Sequence, residues 1–274
     1  MVAHTRLTSA DDARLDDYRR LTEPALRGQG LIVAESGEVV RQLIRARQHR
    51  LRSVLTTEAA LDGLREALAS LATPPEILVA DVTVLREVTG FGFHRGCLAL
   101  AERGPESSAE GVLAALTPGF ARVLVLDDVS NPDNVGALFR NAAAFGVGAV
   151  LLTPGSGDPL YRKTIRVSMG QTFRLPWARV GTWQETAHRL GRRGFTLVAL
   201  TPDGEDLERL VAAAPPLIAV VVGNEGAGLS AAARAACDRT AGIRMDPGAD
   251  SLNVATAAAV ALYRLARPGR DPSH

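Results

Sequence analysis

Three short stretches in the second half of the chain carry residue types able to do chemistry on a ligand. Asn131 to Ala142 (NPDNVGALFRNA) holds Asn134, whose amide can direct hydrogen bonds, and Arg140, whose guanidinium can grip a phosphate through paired N–H donors. Gly223 to Gly228 (GNEGAG) sets the carboxylate of Glu225 among glycines, whose bare backbone lets amides and carbonyls face a ligand. Ile243-Arg-Met245 is followed, after a Gly/Asp/Pro turn, by Ser251-Leu252-Asn253, with Leu252 directed to an apolar pocket and Asn253 to a polar cleft. Each stretch also has a plain structural reading: Asn134 and Ser251 as helix N-caps, Arg140 as an exposed helix arginine. The glycines come late in their domain, whereas a dinucleotide fingerprint follows the first strand with an acid about 20 residues on, which ranks a nucleotide-dependent oxidoreductase low.

The elements that must position these residues read as strand–loop–helix units. An apolar, β-branched run, Leu217 to Val222, stops at Gly223, and a helix starts near Gly228. A second short run, Gly242 to Met245, precedes the long Ala-rich helix opened by Ser251. Two loops therefore leave the carboxyl ends of two strands, where open α/β sheets bind ligands, and they form the expected cofactor cradle. Upstream, strands are expected at Arg122–Asp127, Ala149–Leu152, Arg174–Ala178 and Thr196–Leu200, alternating with helices at Val135–Phe145, Tyr161–Gly170 and Thr182–Arg192. About six nearly all-apolar parallel strands imply a sheet covered on both faces. Asp203 to Asp206 reads as a plain connection. An exposed apolar face on the last helix (Val254, Ala258, Ala261, Leu262) would suit an isologous dimer.

The first half alternates strand and helix from Gly28 to about Glu102, an α/β pattern of its own. The expected division is a helical extension (1–27, a helix capped near Ser9 and running to Leu21), a small α/β domain (28–103), a Gly/Pro/Ser-rich linker (104–118) and a parallel-sheet domain (119–274). Within the small domain, Arg41, Arg45, Arg47, Arg50 and Arg52 fall in a segment, Val39 to Leu55, without an acid. They read equally as a phosphate-tracking surface or as a solvated arginine face. The loop holding His94 and Arg95 between aromatics and glycines suits either stacking on unpaired bases or covering a sheet edge.

At 274 residues with a net charge of +1, the chain has ample material for a core and no global field that advertises nucleic acid. Cys97 and Cys237 are too few and too far apart for a disulfide framework or a zinc site, so no metal is expected. The first residues lack the apolar core of a signal peptide and no run approaches membrane-spanning length, which implies a cytoplasmic protein.

The ordered trio of motifs, N-P-x-N-x-G-x-x-x-R-x-A at Asn131 to Ala142, G-x-E-x-x-G-L at Gly223 to Leu229 and I-x-M…S-L-N at Ile243 to Asn253, resembles the signature of the SpoU/TrmH family of RNA ribose 2′-O-methyltransferases. The first half resembles the small ribosomal-protein-like domain with which many members bind RNA. The resemblance implies an α/β fold whose C-terminal domain is tied into a trefoil knot, which periodicity alone could not suggest. It implies S-adenosylmethionine as cofactor, held by Gly223, Ile243 and Leu252 with Leu200, Thr201 and Met245 lining the same pocket. It implies a catalytic cluster of Asn134, Arg140, Glu225, Ser251 and Asn253. It also implies an RNA partner, with large-subunit ribosomal RNA ahead of transfer RNA, and a homodimer in which Arg140 of one subunit reaches the other's cofactor. Arg244 stands where the family usually has proline, and is expected to loosen that loop or to contact RNA.

A guanidinium stays protonated above pH 12, so Arg140 is expected to clamp a phosphate rather than act as a base. Asn134, Ser251 and Asn253 would orient the ribose, and the proton would pass to Glu225, to a phosphate oxygen or to water.

Overall fold

The computed structural model describes residues 3–19, 21–89, 96–246, 248 and 251–266. The chain divides into two compact units, Met1–Pro105 with Leu160–Arg174, and Glu106–Pro159 with Leu175–His274.

The first unit is built on a five-stranded mixed sheet of β1 (Thr5–Leu7), β2 (Leu31–Glu35), β3 (Arg50–Thr56), β4 (Glu76–Ala80) and β5 (Cys97–Glu102), ordered β1-β4-β3-β5-β2. Strand β5 runs antiparallel to both its neighbours. The short β1 was not expected from sequence; it pairs with β4 at the sheet edge. The helix expected from Ser9 to Leu21 is instead a 3-10 turn capped by Asp12, then Asp16–Arg19, then Glu23–Gly28, which begins around Pro24. Proline has no N–H to give and suits only a first helical turn, so it starts a new helix rather than extending an old one. Residues 160–174, between two strands of the other unit, belong here: Gly170, at φ +76, lies against Gln42 and Val39 of helix Gly37–Ala46.

The second unit is a six-stranded sheet of β6 (Ala121–Asp127), β7 (Ala149–Leu152), β8 (Trp177–Arg179), β9 (Thr196–Asp206), β10 (Leu217–Gly223) and β11 (Arg239–Gly242), ordered β11-β9-β10-β6-β7-β8 with every pairing parallel. All seven residues of β6 are buried, as a strand covered on both faces requires. The strand expected at Arg174 starts only at Trp177, because helix Gln171–Arg174 and then Pro176 occupy the approach.

Two departures shape the site. Asp203 to Asp206 is not a plain connection but the end of β9. Strand β11 pairs Thr240 with Ala199 and then Ala241 with Glu205, so Leu200 to Gly204 bulge out between two paired stretches. A side chain at Gly204 would meet the Ala241 backbone at under 3.0 Å, so glycine is what allows the bulge to close over β11. The face of the final helix, Val254–Leu265, that the sequence suggested as exposed is buried: Ala258, Ala261 and Leu262 are at most 2% exposed. This helix packs against helix Pro132–Ala144, and the Asn141 amide donates to the Ala255 carbonyl at 2.8 Å. Val260 and Tyr263 are the large apolar residues this helix exposes instead. Its far end is held by buried Arg122, which donates to the Leu265 and Pro216 carbonyls. Burial pushes that guanidinium down to about 10, still well above neutral pH.

Candidate active site

Strand order reverses about β6: the chain leaves it toward β7 and β8 and later returns on its other side as β10. Asp127, the last residue of β6, is in register with Gly223, the last of β10. The crevice beyond these carboxyl ends is the place where an open α/β sheet leaves room for a ligand.

Gly223 opens a tight turn. Asn224 and Gly228 exchange backbone hydrogen bonds of 3.0 and 2.9 Å, and the Asn224 Oδ1 accepts the amides of Gly226 and Ala227. A Cβ at Gly223 would fall under 3.0 Å from the backbone of Gly228 and Leu229, so only glycine lets the turn fold back on the strand end. Glu225 is presented at the tip, exposed.

The three motifs meet in one hydrogen-bonded chain. Asn134 donates to Glu225 Oε1 at 2.7 Å, and Asn253 donates to Asn134 Oδ1 at 2.9 Å. Asn253 Oδ1 in turn accepts the amides of Ala255 and Thr256 at 2.9 and 3.3 Å. The orientation of both amides follows from the ends of the chain, a carboxylate that accepts and helix N–H groups that donate. The helix caps therefore differ from the sequence reading. Asn131, not Asn134, caps helix Pro132–Ala144, with Pro132 in its first turn, and Asn253, not Ser251, caps the final helix. Asn134 sits one turn inside, which frees its side chain for Glu225.

Beside this chain lies a cavity of about 540 Å³. Asn134, Glu225, Ser251 and Asn253 line it, as do Leu200, Thr201, Gly223, Ile243, Met245 and Leu252. The bulge of β9 brings in Leu200 and Thr201, the glycine turn forms the main-chain wall, and the segment after β11 supplies Ile243 and Met245. Arg140 is not brought in: it is exposed on its helix and makes no hydrogen bond or ion pair among the described residues. Arg234, which the sequence reading did not single out, lines the cavity and reaches Asp203 of the bulge at 3.3 Å. Only the fold brings those two together. Arg244, at the position of the family's usual proline, pairs with Asp206 and is otherwise open to solvent.

In the first unit, three of the five clustered arginines have carboxylate partners. Arg41 meets Glu38 at 2.8 Å, Arg50 meets Glu102 at 2.7 Å and Arg52 meets Asp17 at 2.8 Å. The acid-free window thus reads as more basic than the folded surface is, because Asp17 and Glu102 arrive from distant segments. Arg45 and Arg47 are exposed with no such partner among the described residues. His94 and Arg95 lie outside the described residues. Burial pushes both thiols, Cys97 and Cys237, up to about 12. No group of three or more His, Cys, Asp and Glu able to hold a metal occurs among the described residues, and no helix there is long and apolar enough to cross a membrane.

Comparison with known proteins agrees with this architecture. Residues 121–263 match the family model described as the SpoU rRNA Methylase family. An uncharacterized tRNA/rRNA methyltransferase of Mycobacterium tuberculosis is 41% identical over 267 residues, which are 94% of this chain and 90% of the relative. Among solved structures, the SpoU methyltransferase AviRb from Streptomyces viridochromogenes superposes with a TM-score of 0.76 at 25% identity, covering 93% of this chain and 96% of that one. A structure titled RNA 2′-O ribose methyltransferase superposes with a TM-score of 0.76 at 29% identity, covering 95% of this chain and 98% of that one.

Proposed function

Because this chain belongs to the SpoU rRNA methylase family, we propose that it is an RNA methyltransferase that takes its methyl group from S-adenosylmethionine and delivers it to a ribose 2′-hydroxyl, most readily in large-subunit ribosomal RNA. The observation that carries the reading is the hydrogen-bonded chain from Glu225 through Asn134 to Asn253, built from three distant motifs along one cavity wall.

The cavity suits that cofactor. Its volume of about 540 Å³ falls in the usual range of small-molecule sites, and its wall joins apolar Val222, Leu229, Ile243, Met245 and Leu252 to bare main chain at Gly223. Leu200, Thr201, Gly223, Ile243, Met245 and Leu252 would hold it. When bound, it supplies an electrophilic methyl group on a sulfonium whose departure leaves a neutral thioether.

The protein's task is then alignment and removal of one proton. Glu225 has one carboxyl oxygen occupied by Asn134, and its other oxygen is open to accept the ribose proton. Asn134 keeps that carboxylate aimed, and Asn253 keeps Asn134 aimed. Ser251 stands on the same wall as a hydroxyl able to orient the sugar. Arg140, exposed and uncommitted, acts on the RNA phosphate, and in a homodimer it would act across the interface. Arg45 and Arg47 of the first unit take the backbone of the RNA.

The test is transfer of labelled methyl groups to ribosomal and transfer RNA, followed by nuclease mapping of the modified nucleotide. A 2′-O-methyl mark on ribosomal RNA supports the proposal; a base methyl, or no transfer to any RNA, overturns it. Asn134→Asp, which cannot donate to Glu225, should lower turnover about a hundredfold, the scale expected for a misaligned reacting group, with folding unchanged by circular dichroism.

A further inference from the structure

We propose that Asp127 is a positioning residue for this site, holding the glycine turn in the shape that presents its backbone to the cavity and Glu225 to Asn134. The inference rests on the reading of the cavity as a cofactor cradle.

Asp127 is 2% exposed and both its carboxyl oxygens are spent on N–H donors. One accepts the indole of Trp183 at 2.8 Å, and the other accepts the backbone amide of Ser230 at 2.6 Å. A buried carboxyl is tolerated only when its oxygens are satisfied, and each bond in turn fixes the group that makes it. Ser230 is where the turn ends. Its own hydroxyl caps helix Ala231–Ala236 through Ala233 at 3.1 Å, so Asp127 does not serve as that cap. What Asp127 holds is the exit of the turn, directly beside Gly223, its register partner at the entry.

The entry is tied to the next residue of the same strand end. Asn224 donates to the Asp128 carbonyl at 2.9 Å. Asp128 is a non-glycine residue at φ +56, held there by Thr153 Oγ1 at 2.5 Å and the Gly155 amide at 3.1 Å. Such a conformation persists only where its surroundings impose it. Residues 224–230 are thus clamped at both ends by the last residue of β6 and the residue that follows it.

The test compares variants of the full chain by calorimetry with S-adenosylmethionine and by amide hydrogen exchange without it. Asp127→Asn keeps the shape but sets an NH₂ against one of the two donors. It should weaken cofactor binding about tenfold or more and speed exchange at Gly226, Ala227 and Ser230, as expected for an unsatisfied buried polar group. Trp183→Phe leaves one carboxyl oxygen bare but keeps the bond from Asp127 to the Ser230 amide, so it should weaken binding and speed exchange at Gly226, Ala227 and Ser230 less than Asp127→Asn does. Unaltered exchange and affinity in Asp127→Asn would overturn the inference, as would an equal loss in Trp183→Phe, which would trace the effect to core packing. If Asp127→Asn loses its native circular dichroism, Asn224→Asp, which cannot donate to the Asp128 carbonyl, takes its place with the same two outcomes. A wild-type protein that binds no S-adenosylmethionine, with the exchange difference intact, would overturn the cofactor reading and leave the clamp standing.

Discussion

Asn134 and Arg140 lie six positions apart on one helix and end in opposite circumstances. Asn134 is buried and linked to Glu225 and Asn253, while Arg140 points to solvent with no partner among the described residues. The sequence marked both as candidates but could not separate them, since helical spacing says which residues share a face and not what covers it. The separation leaves Arg140 outside the cavity lining, which supports the proposal that it serves the RNA rather than the cofactor. Arg140→Lys, which keeps the charge but loses the paired donors, should lower turnover and RNA affinity while leaving the dissociation constant of S-adenosylmethionine unchanged; unaltered turnover would deny Arg140 any part in the reaction.

Between residues and molecule stand a turn and a bulge. The glycine turn was legible because its composition has a mechanical meaning: a Cβ at Gly223 has nowhere to go but into the backbone of Gly228 and Leu229. Gly223→Ala should therefore cut cofactor affinity about tenfold or more, since the turn must open to admit the methyl group, with strand content preserved; calorimetry alongside circular dichroism checks both halves. The bulge at Leu200 to Gly204 was not legible. Leu200 and Thr201 entered the expected pocket only through the family resemblance, and Asp203 to Asp206 looked like ordinary loop. Their structure depends on pairing with β11, whose residues are 36 to 41 positions downstream of their register partners, and no local window contains that information.

On the scale of the whole molecule, charge and protonation are redistributed by folding. The five arginines clustered between Val39 and Leu55 looked alike in sequence; with Arg41, Arg50 and Arg52 paired to carboxylates, Arg45 and Arg47 are the two of them without such a partner among the described residues. If both contact phosphate, replacing them with Gln should flatten the slope of log affinity against log salt by about 1.4 for single-stranded RNA; Arg50→Gln with Arg52→Gln should flatten it less, and filter binding across a salt series decides. His49 gives a pH test. Burial first, then the charge of Arg103, brings its pKa down to about 4, and its Nδ1 accepts the Gly104 amide at 2.9 Å, which requires the neutral ring. The unfolded chain binds this proton more readily, so the contribution is fully present above about pH 6.5 and is lost as pH falls toward about 4. Thermal midpoints of the wild type should drop more steeply across that window than those of His49→Gln; parallel curves would count against it.

Sequence alone determined the alternation of strands and helices, the buried parallel sheet and the three motifs, because apolar periodicity, glycine geometry and residue chemistry are local properties written in neighbouring positions. Tertiary structure decided which asparagine caps which helix, which arginines remain uncommitted, that the last helix hides its alanine face, and that Glu225, Asn134 and Asn253 share one hydrogen-bonded chain. The hydrogen-bonded chain joins partners about 90 to 120 positions apart, and the energy of a hydrogen bond or an ion pair is set by what stands across from it in space.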